Sequence, residues 1–149
     1  MKGESKLLSP EKMKALRQKR GKAAAHRGRA REWDVRDVFR AAGYCVARAR
    51  ASKGEADLIA WRPRAFPVEG LWISVKKTSW PSDAECARMA EAVPEGLGLI
   101  VLWPNAQEPL CARLPANGII DPASDRTDWF RGLVKASREQ KNAEKRAHP

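Results

Sequence analysis

Several features of common protein classes are missing from this chain of 149 residues. No apolar run approaches the ~18–20 residues of a membrane-spanning helix, which predicts a protein without a membrane partner. Cys45, Cys86 and Cys111 are odd in number and lack metal-ligand spacing, which argues against a zinc module or a disulfide framework. The N-terminus has no apolar stretch of the secretory type. We therefore expect reduced, mostly buried thiols and a cytoplasmic location.

Histidine is also scarce, whereas basic charge is abundant and uneven. His26 and His148 lie in basic segments, and neither has a neighbour that suggests catalysis or metal binding. The net charge of +11 divides into +9 for residues 1–31, −2 for residues 32–130 and +4 for residues 131–149. Lysine and arginine bind polyanions by releasing their counterions. A nearly neutral body with two basic ends predicts a nucleic-acid partner; solvated charged tails are the simpler alternative.

The first part of the chain predicts two helices joined by a hinge. Pro10 suits the first turn of a basic helix that ends near Arg20. Glycines at both ends make Gly21–Gly28 the expected hinge. The second helix is expected over Arg29–Ala42, with Gly43 as the residue that ends it.

This second helix has an apolar face that also carries an acid. Val35, Val38 and Phe39 follow the spacing of a buried helix face, and Glu32 falls on the same face. A carboxylate on the inward edge of a helix is unfavourable unless it meets a cation. An acid that interacts with the helix dipole is the purely structural interpretation.

The rest of the chain alternates strands and helices. The expected strands are Tyr44–Ala51, Glu55–Trp61, Leu71–Thr78, Leu97–Trp103 and Leu110–Leu114. A helix should begin at the capping box formed by Ser82 and Glu85, and a last helix should run from Asp128 to about Ser137. Consecutive strands followed by a helical crossover predict an α/β fold with a mixed sheet of about five strands flanked by helices.

Two neighbouring strands of this sheet carry charged residues. Asp57 opens the second strand, and Ser74 and Lys76 share one face of the third because side chains alternate along a strand. Adjacent strands of this kind bring a carboxylate, a backbone carbonyl and an ammonium around one divalent metal ion. Metal-dependent phosphodiesterases use such groups.

Four motifs in this order resemble the archaeal-type Holliday-junction resolvases and their phage relatives, within the PD-(D/E)xK nuclease superfamily. They are GRARE at 28–32, AGYCVAR at 42–48, SKGEADLIA at 52–60 and WISVK at 72–76. The resemblance covers about residues 25–104. It implies a restriction-endonuclease-like fold and, if a phage encodes the chain, a location in the host cytoplasm.

The resemblance also implies a role for individual residues. Glu32 and Asp57 would be ligands of Mg²⁺ or Mn²⁺, and Val75 would add its backbone carbonyl. Lys76 would orient the attacking water and stabilise negative charge. Ser52 matches a loop serine that some resolvases use near the scissile phosphate.

Ser74 departs from the family pattern, which has glutamate at this position. A hydroxyl is a poor Mg²⁺ ligand beside a carboxylate. Three interpretations remain open: a variant disabled on purpose, a natural relative that binds junctions without cutting, or a neighbouring acid that substitutes. Glu55 is the nearest acid, and Glu69 on the following loop is less favourable.

The resulting hypothesis is a Mg²⁺-dependent endodeoxyribonuclease that binds and resolves four-way junctions as a homodimer, with the chain inactive if Ser74 disables it. The alternatives are a non-catalytic module that binds structured DNA, or another nickase or repair endonuclease of the superfamily. The expected organisation is a basic arm over 1–25, a nuclease-like domain over 26–136 and a charged tail over 137–149. The candidate DNA-contacting residues are Lys19, Arg20, Lys22, Arg27, Arg29, Arg31, Arg48, Arg50, Lys53 and Lys77.

Overall fold

The computed structural model describes residues 9–49, 56–63, 70–105 and 107–148. The order of elements is α1 (Pro10–Ala41), β1 (Cys45–Arg48), β2 (Leu58–Trp61), β3 (Gly70–Lys76), α2 (Asp83–Ala92), β4 (Gly98–Leu102), β5 (Leu110–Leu114), a short 3₁₀ turn (Pro122–Ser124) and α3 (Thr127–Ala147). Residue contacts divide the chain into two compact units, Met1–Ala30 and Arg31–Pro149. The described residues of the first unit are helical from Pro10 on and exposed, apart from the half-buried Gly28 and Ala30.

The second unit contains one five-stranded sheet in the order β1-β2-β3-β4-β5. β1, β2 and β3 are antiparallel neighbours, β3 and β4 are parallel, and β4 and β5 are antiparallel. The parallel pair requires a crossover connection, and α2 supplies it. The predicted α/β class and the mixed sheet of five strands with helices are therefore confirmed.

Each face of the sheet packs against different helices. On one face Phe39 of α1 and Phe130 of α3 join Ile73 and Leu58 in the larger core cluster. On the other face Met89 of α2 belongs to the smaller cluster. Every residue of β4 is buried, as its continuous apolar sequence predicts for a central strand. Successive residues of β3 therefore face α1 and α3, then α2.

The prediction of a hinge over Gly21–Gly28 is wrong. One helix runs from Pro10 to Ala41 through both glycines. A Cβ atom at Gly21 or Gly28 would meet no atom within 4 Å, so neither glycine marks a close contact. Alanine, lysine and arginine are good helix formers, and they surround both positions. Their combined preference outweighs the local cost of glycine.

The C-terminal expectation also changes. The last helix does not end near Ser137 but runs to Ala147. Two large aromatic residues near the C-terminal helix are buried: Trp103 is 5 % exposed and Phe130 is 0 % exposed, and their ring centroids are 6.0 Å apart. Trp80 and Trp129 remain exposed. Trp103 and Phe130 are thus core residues, since their rings fill the space between α3 and the sheet.

We expect Gly21→Ala and Gly28→Ala each to increase the helical content of the first unit, because alanine favours an exposed helix over glycine by about 0.5–1 kcal/mol. The measurement is far-ultraviolet circular dichroism at 222 nm. Gly118→Ala is the matched opposite: Gly118 has φ +71°, and its Cβ would lie 2.9 Å from Cα of Ala87, so this variant should unfold at lower temperature. Unchanged helicity in both Gly21→Ala and Gly28→Ala would contradict the continuous helix.

Candidate active site

The backbone hydrogen bonds between β2 and β3 end at Asp57. The next hydrogen bond along β3 is accepted by the Asp57 side chain. The N–H of Asp57 donates to the carbonyl of Ile73 at 2.8 Å. The N–H of Val75, two residues further along β3, donates to Oδ2 of Asp57 at 2.7 Å. β2 begins at Leu58, so no β2 backbone group is paired with Val75. The carboxylate of Asp57 therefore lies at the point where the two strands part.

The carbonyl of Val75 faces the same edge. Within a strand, the N–H and C=O of one residue point to the same neighbour. The next residue points the other way, since the carbonyl of Lys76 accepts from the N–H of Trp103 at 2.8 Å. The structure thus brings together two oxygen groups that the sequence marks as metal ligands, the carboxylate of Asp57 and the carbonyl of Val75.

Lys76 is paired with an acid that the sequence interpretation did not assign to the site. Its Nζ atom forms a salt bridge with Oε1 of Glu85, and both side chains are about one-quarter exposed. Glu85 lies in the first turn of α2. The crossover helix therefore supplies the carboxylate beside the lysine.

The sequence alone gives Glu85 a structural role in the capping box of α2, so it does not mark this residue as part of the site. Ser82 is the N-cap of α2, and its Oγ atom accepts from the N–H of Glu85 at 3.2 Å. This half of the predicted capping box is confirmed. The side chain of Glu85 contacts Lys76, however, in place of the reciprocal cap contact. A signal was present, since Lys76 lies on the face of β3 that a crossover helix must cover.

Ser74 is buried among core residues on the same face of the sheet. It is 2 % exposed, and it lies beside Ile100 of β4, a member of the cluster under α2. A longer side chain with a charge would be enclosed at this position. The acid next to Lys76 therefore comes from α2, where a side chain can reach solvent, and not from β3.

Glu32 pairs with a cation, as its place on the inward face of α1 requires. Its Oε2 atom accepts from Nε of Arg48 on β1 at 2.9 Å, and the Glu32 side chain is 15 % exposed. Arg48, a candidate DNA contact, is 50 % exposed in this pair. The salt bridge joins the C-terminal part of α1 to β1.

The described donors fit a hard divalent cation in part. Asp57 and Val75 offer oxygen atoms, which Mg²⁺ and Mn²⁺ prefer, and a carboxylate with one hydrogen bond retains further acceptor positions. Among the described residues, no group of three or more histidine, cysteine, aspartate or glutamate side chains is gathered that could hold a metal ion. The remaining candidates Ser52, Glu55 and Glu69 lie outside the described residues.

The candidate DNA-contacting residues lie in both units of the chain. Lys77 follows Lys76 directly and is exposed, and Arg31 is half-buried. Arg50 and Lys53 lie outside the described residues. The exposed candidates in the first unit are Lys19, Arg20, Lys22, Arg27 and Arg29. Of the described candidates, Arg31 is half-buried and the others are exposed.

The pKa values of Cys86, Cys111 and Asp125 are shifted, each with a local cause. Burial, followed by the carboxylates of Glu85 and Asp83, raises the pKa of Cys86, whereas the ammonium of Lys76 lowers it. Burial raises the pKa of Cys111 to about 12. Hydrogen bonds from the side chain and the N–H of Thr127 lower the pKa of Asp125. Both buried thiols are therefore protonated and unreactive near neutral pH.

No helix in the described part of the chain is long and apolar enough to cross a membrane. Comparison with protein-family models, with curated proteins and with solved structures finds no match to this chain. The proposed function therefore rests on the motifs of the sequence and on the geometry at Asp57, Val75, Lys76 and Glu85.

Proposed function

We propose that this chain is a metal-dependent endonuclease that resolves four-way DNA junctions. One observation carries the proposal: the carboxylate of Asp57 accepts a hydrogen bond from the backbone of Val75, next to a lysine paired with Glu85. The resemblance to the archaeal-type Holliday-junction resolvases supports the same reaction. A carboxylate, a carbonyl and an ammonium at one strand end suit the hydrolysis of a phosphodiester.

Each group has a distinct part in this mechanism. Asp57 and the carbonyl of Val75 would hold Mg²⁺ or Mn²⁺, with Glu32 as a further ligand if it leaves Arg48. The metal ion would lower the pKa of a bound water and neutralise charge on the phosphate. Lys76 donates hydrogen bonds that orient the water and stabilise the developing negative charge. Glu85 is a positioning residue, because its carboxylate holds the ammonium of Lys76.

The substrate follows from charge distribution. Lysine and arginine along α1 and after β3 would contact phosphates, so recognition depends on the path of the DNA backbone more than on base sequence. Two cuts of matching geometry require two sites, which a two-fold homodimer provides. We propose the cytoplasm as its location, or the host cytoplasm if a phage encodes the chain.

Single-turnover cleavage tests the proposal. The substrates are a labelled four-way junction, a flap and a linear duplex of the same sequence, each in Mg²⁺ and in EDTA. We expect Mg²⁺-dependent, paired cuts in the junction. Faster cutting of the flap or the duplex would support another nickase or repair endonuclease of the superfamily.

A binding module without catalysis is the second candidate, and specific contacts favour it. Lys76 and Glu32 both form salt bridges within the protein, and Ser74 is buried in place of the expected acid. Tight junction binding with no cleavage in either Mg²⁺ or Mn²⁺ would establish this alternative and exclude the enzyme.

Deleting residues 1–25 should weaken binding to every DNA form. The segment holds eight basic and two acidic residues. If all eight basic residues contact phosphates, the slope of log K against log salt falls by at most about seven. A triple variant, Lys19, Arg20 and Lys22 each to Gln, keeps the helix and should lower the slope by about three. Titrations at several salt concentrations measure both, and unchanged slopes would rule out arm–phosphate contacts.

The protein should sediment at about twice its monomer mass of 16.6 kDa. Trp80→Ser, at an exposed aromatic residue, tests whether this tryptophan belongs to the dimer surface. Analytical ultracentrifugation at micromolar concentration is the measurement. A monomer under these conditions would remove the basis for paired cutting.

A further inference from the structure

A cavity of about 370 Å³ opens at the end of the sheet opposite to Val75. Gly70 and Gly98, the first residues of β3 and β4, line it. The distance along β3 from Gly70 to Val75 is about 17 Å, at ~3.3 Å per residue. The cavity is therefore separate from the candidate active site, and no role described above uses it.

Two aromatic side chains form part of its wall and are held by one buried ring. Tyr44 and Trp129 line the cavity. The ring of Phe39, which is 0 % exposed, contacts Tyr44 at 5.4 Å and Trp129 at 6.2 Å between centroids. Trp129 is 41 % exposed, although it is a large aromatic residue. The guanidinium of Arg62 lies over the Tyr44 ring, 4.7 Å from its centroid, so the exposed ring of Trp129 is the main surface on which a base can stack.

Two arginines line the same cavity, and hydrogen bonds hold one of them, Arg126. Nη1 of Arg126 donates to the carbonyls of Ala123 at 3.0 Å and Asp125 at 2.7 Å. Arg113 lies against Gly96, where an added Cβ would come within 2.7 Å of Nη2. A side chain at Gly96 would therefore displace this guanidinium.

The lining of the cavity carries two guanidinium groups and no carboxylate. Arg113 and Arg126 also line an adjoining pocket, which contains Glu95 and Asp121. Neither Arg113 nor Arg126 forms a salt bridge with the described residues of the chain. Guanidinium groups with unused N–H donors bind phosphate through paired hydrogen bonds. A purely apolar ligand would form no charged contact with Arg113 or Arg126, and a bare phosphate would leave the aromatic wall unused.

We infer that this cavity binds a nucleotide, with the base against Tyr44 and Trp129 and the phosphate on Arg113 and Arg126. The nucleotide comes either from solution, as a free deoxynucleoside monophosphate, or from the end of a DNA strand. The second source rests on the proposed DNA substrate, whereas the first does not. Mononucleotide binding is therefore measurable whether or not the chain cuts junctions.

The first experiment titrates the full chain with deoxyadenosine monophosphate by calorimetry, beside deoxyadenosine and inorganic phosphate alone. We expect the mononucleotide to bind more tightly than either half. Arg113→Met should weaken its binding about tenfold, since one charged partner of the phosphate is lost. Arg138→Met on the exposed surface of α3 is the matched control and should bind as the parent does. Trp129→Ala should weaken binding at least about fivefold through lost stacking.

Arg113 is exposed on β5, so its loss should leave the fold intact, and thermal unfolding of each variant checks this. Equal affinity of the parent and Arg113→Met would overturn the inference, as would equal binding of mononucleotide and inorganic phosphate. The second experiment compares a blunt duplex with one that has a single-stranded extension. A preference for the extension that disappears in Arg113→Met identifies a strand end as the source; binding of the mononucleotide alone identifies the free ligand. A chain that cuts junctions yet fails the first experiment loses this inference and keeps the proposed function.

Discussion

Asp57→Asn is expected to lower the single-turnover rate of junction cleavage by about 10³-fold or more, because a neutral amide is a much weaker ligand for a hard cation than a carboxylate. The substitution retains the shape of the side chain. In the parent, Oδ2 of Asp57 accepts a hydrogen bond from the N–H of Val75 at 2.7 Å. The amide oxygen of the substituted asparagine can accept the same hydrogen bond. The fold should therefore survive, and the loss is then a loss of chemistry.

The control for this variant is Asp34→Asn, the same chemical change at an exposed position of α1. It should cut at the parental rate. Junction affinity in EDTA should not fall for either variant, since both retain every basic residue. Parental cleavage by Asp57→Asn would place the active site elsewhere, even if the chain is a nuclease.

Glu85→Gln should reduce the same rate by about 10²-fold, the usual scale for losing one electrostatic contribution to a transition state. Glutamine keeps a hydrogen-bond acceptor near Lys76 but loses the charge that holds the ammonium in place. Glu91→Gln, on the exposed side of the same helix, is the matched control and should have no effect. Rate constants at saturating protein separate this effect from changes in DNA binding.

A double variant distinguishes positioning by Glu85 from a purely structural salt bridge. Ser74→Glu with Glu85→Gln moves the carboxylate from α2 to β3, on the same face as Lys76. Recovery of about tenfold or more over Glu85→Gln would show that the lysine needs an acid from either side. Ser74→Glu alone places a second acid at a buried position, so we expect a loss of stability of about 1–3 kcal/mol. Glu85→Gln cleaving at the parental rate would remove Glu85 from the mechanism.

Much of the architecture is predictable because it depends on local chemistry. Ser82 caps α2, and Gly43 adopts φ +90° just after α1, as a helix stop requires. The apolar sequence of β4 predicts a central strand, and all its residues are buried. The continuity of α1 is harder to predict from the sequence, because two glycines within one helix resemble a hinge.

The candidate site divides in the same way. The chain by itself determined that Asp57 opens a strand and that Ser74 and Lys76 share a face, because alternation along a strand is a local property. Only the tertiary structure decided which groups meet: the carboxylate of Asp57 with the backbone of Val75, and Lys76 with Glu85. Both contacts join separate elements, and their distances depend on where β2 ends and how α2 packs across the sheet. The sequence pattern of a single element predicts neither the end of β2 nor the packing of α2.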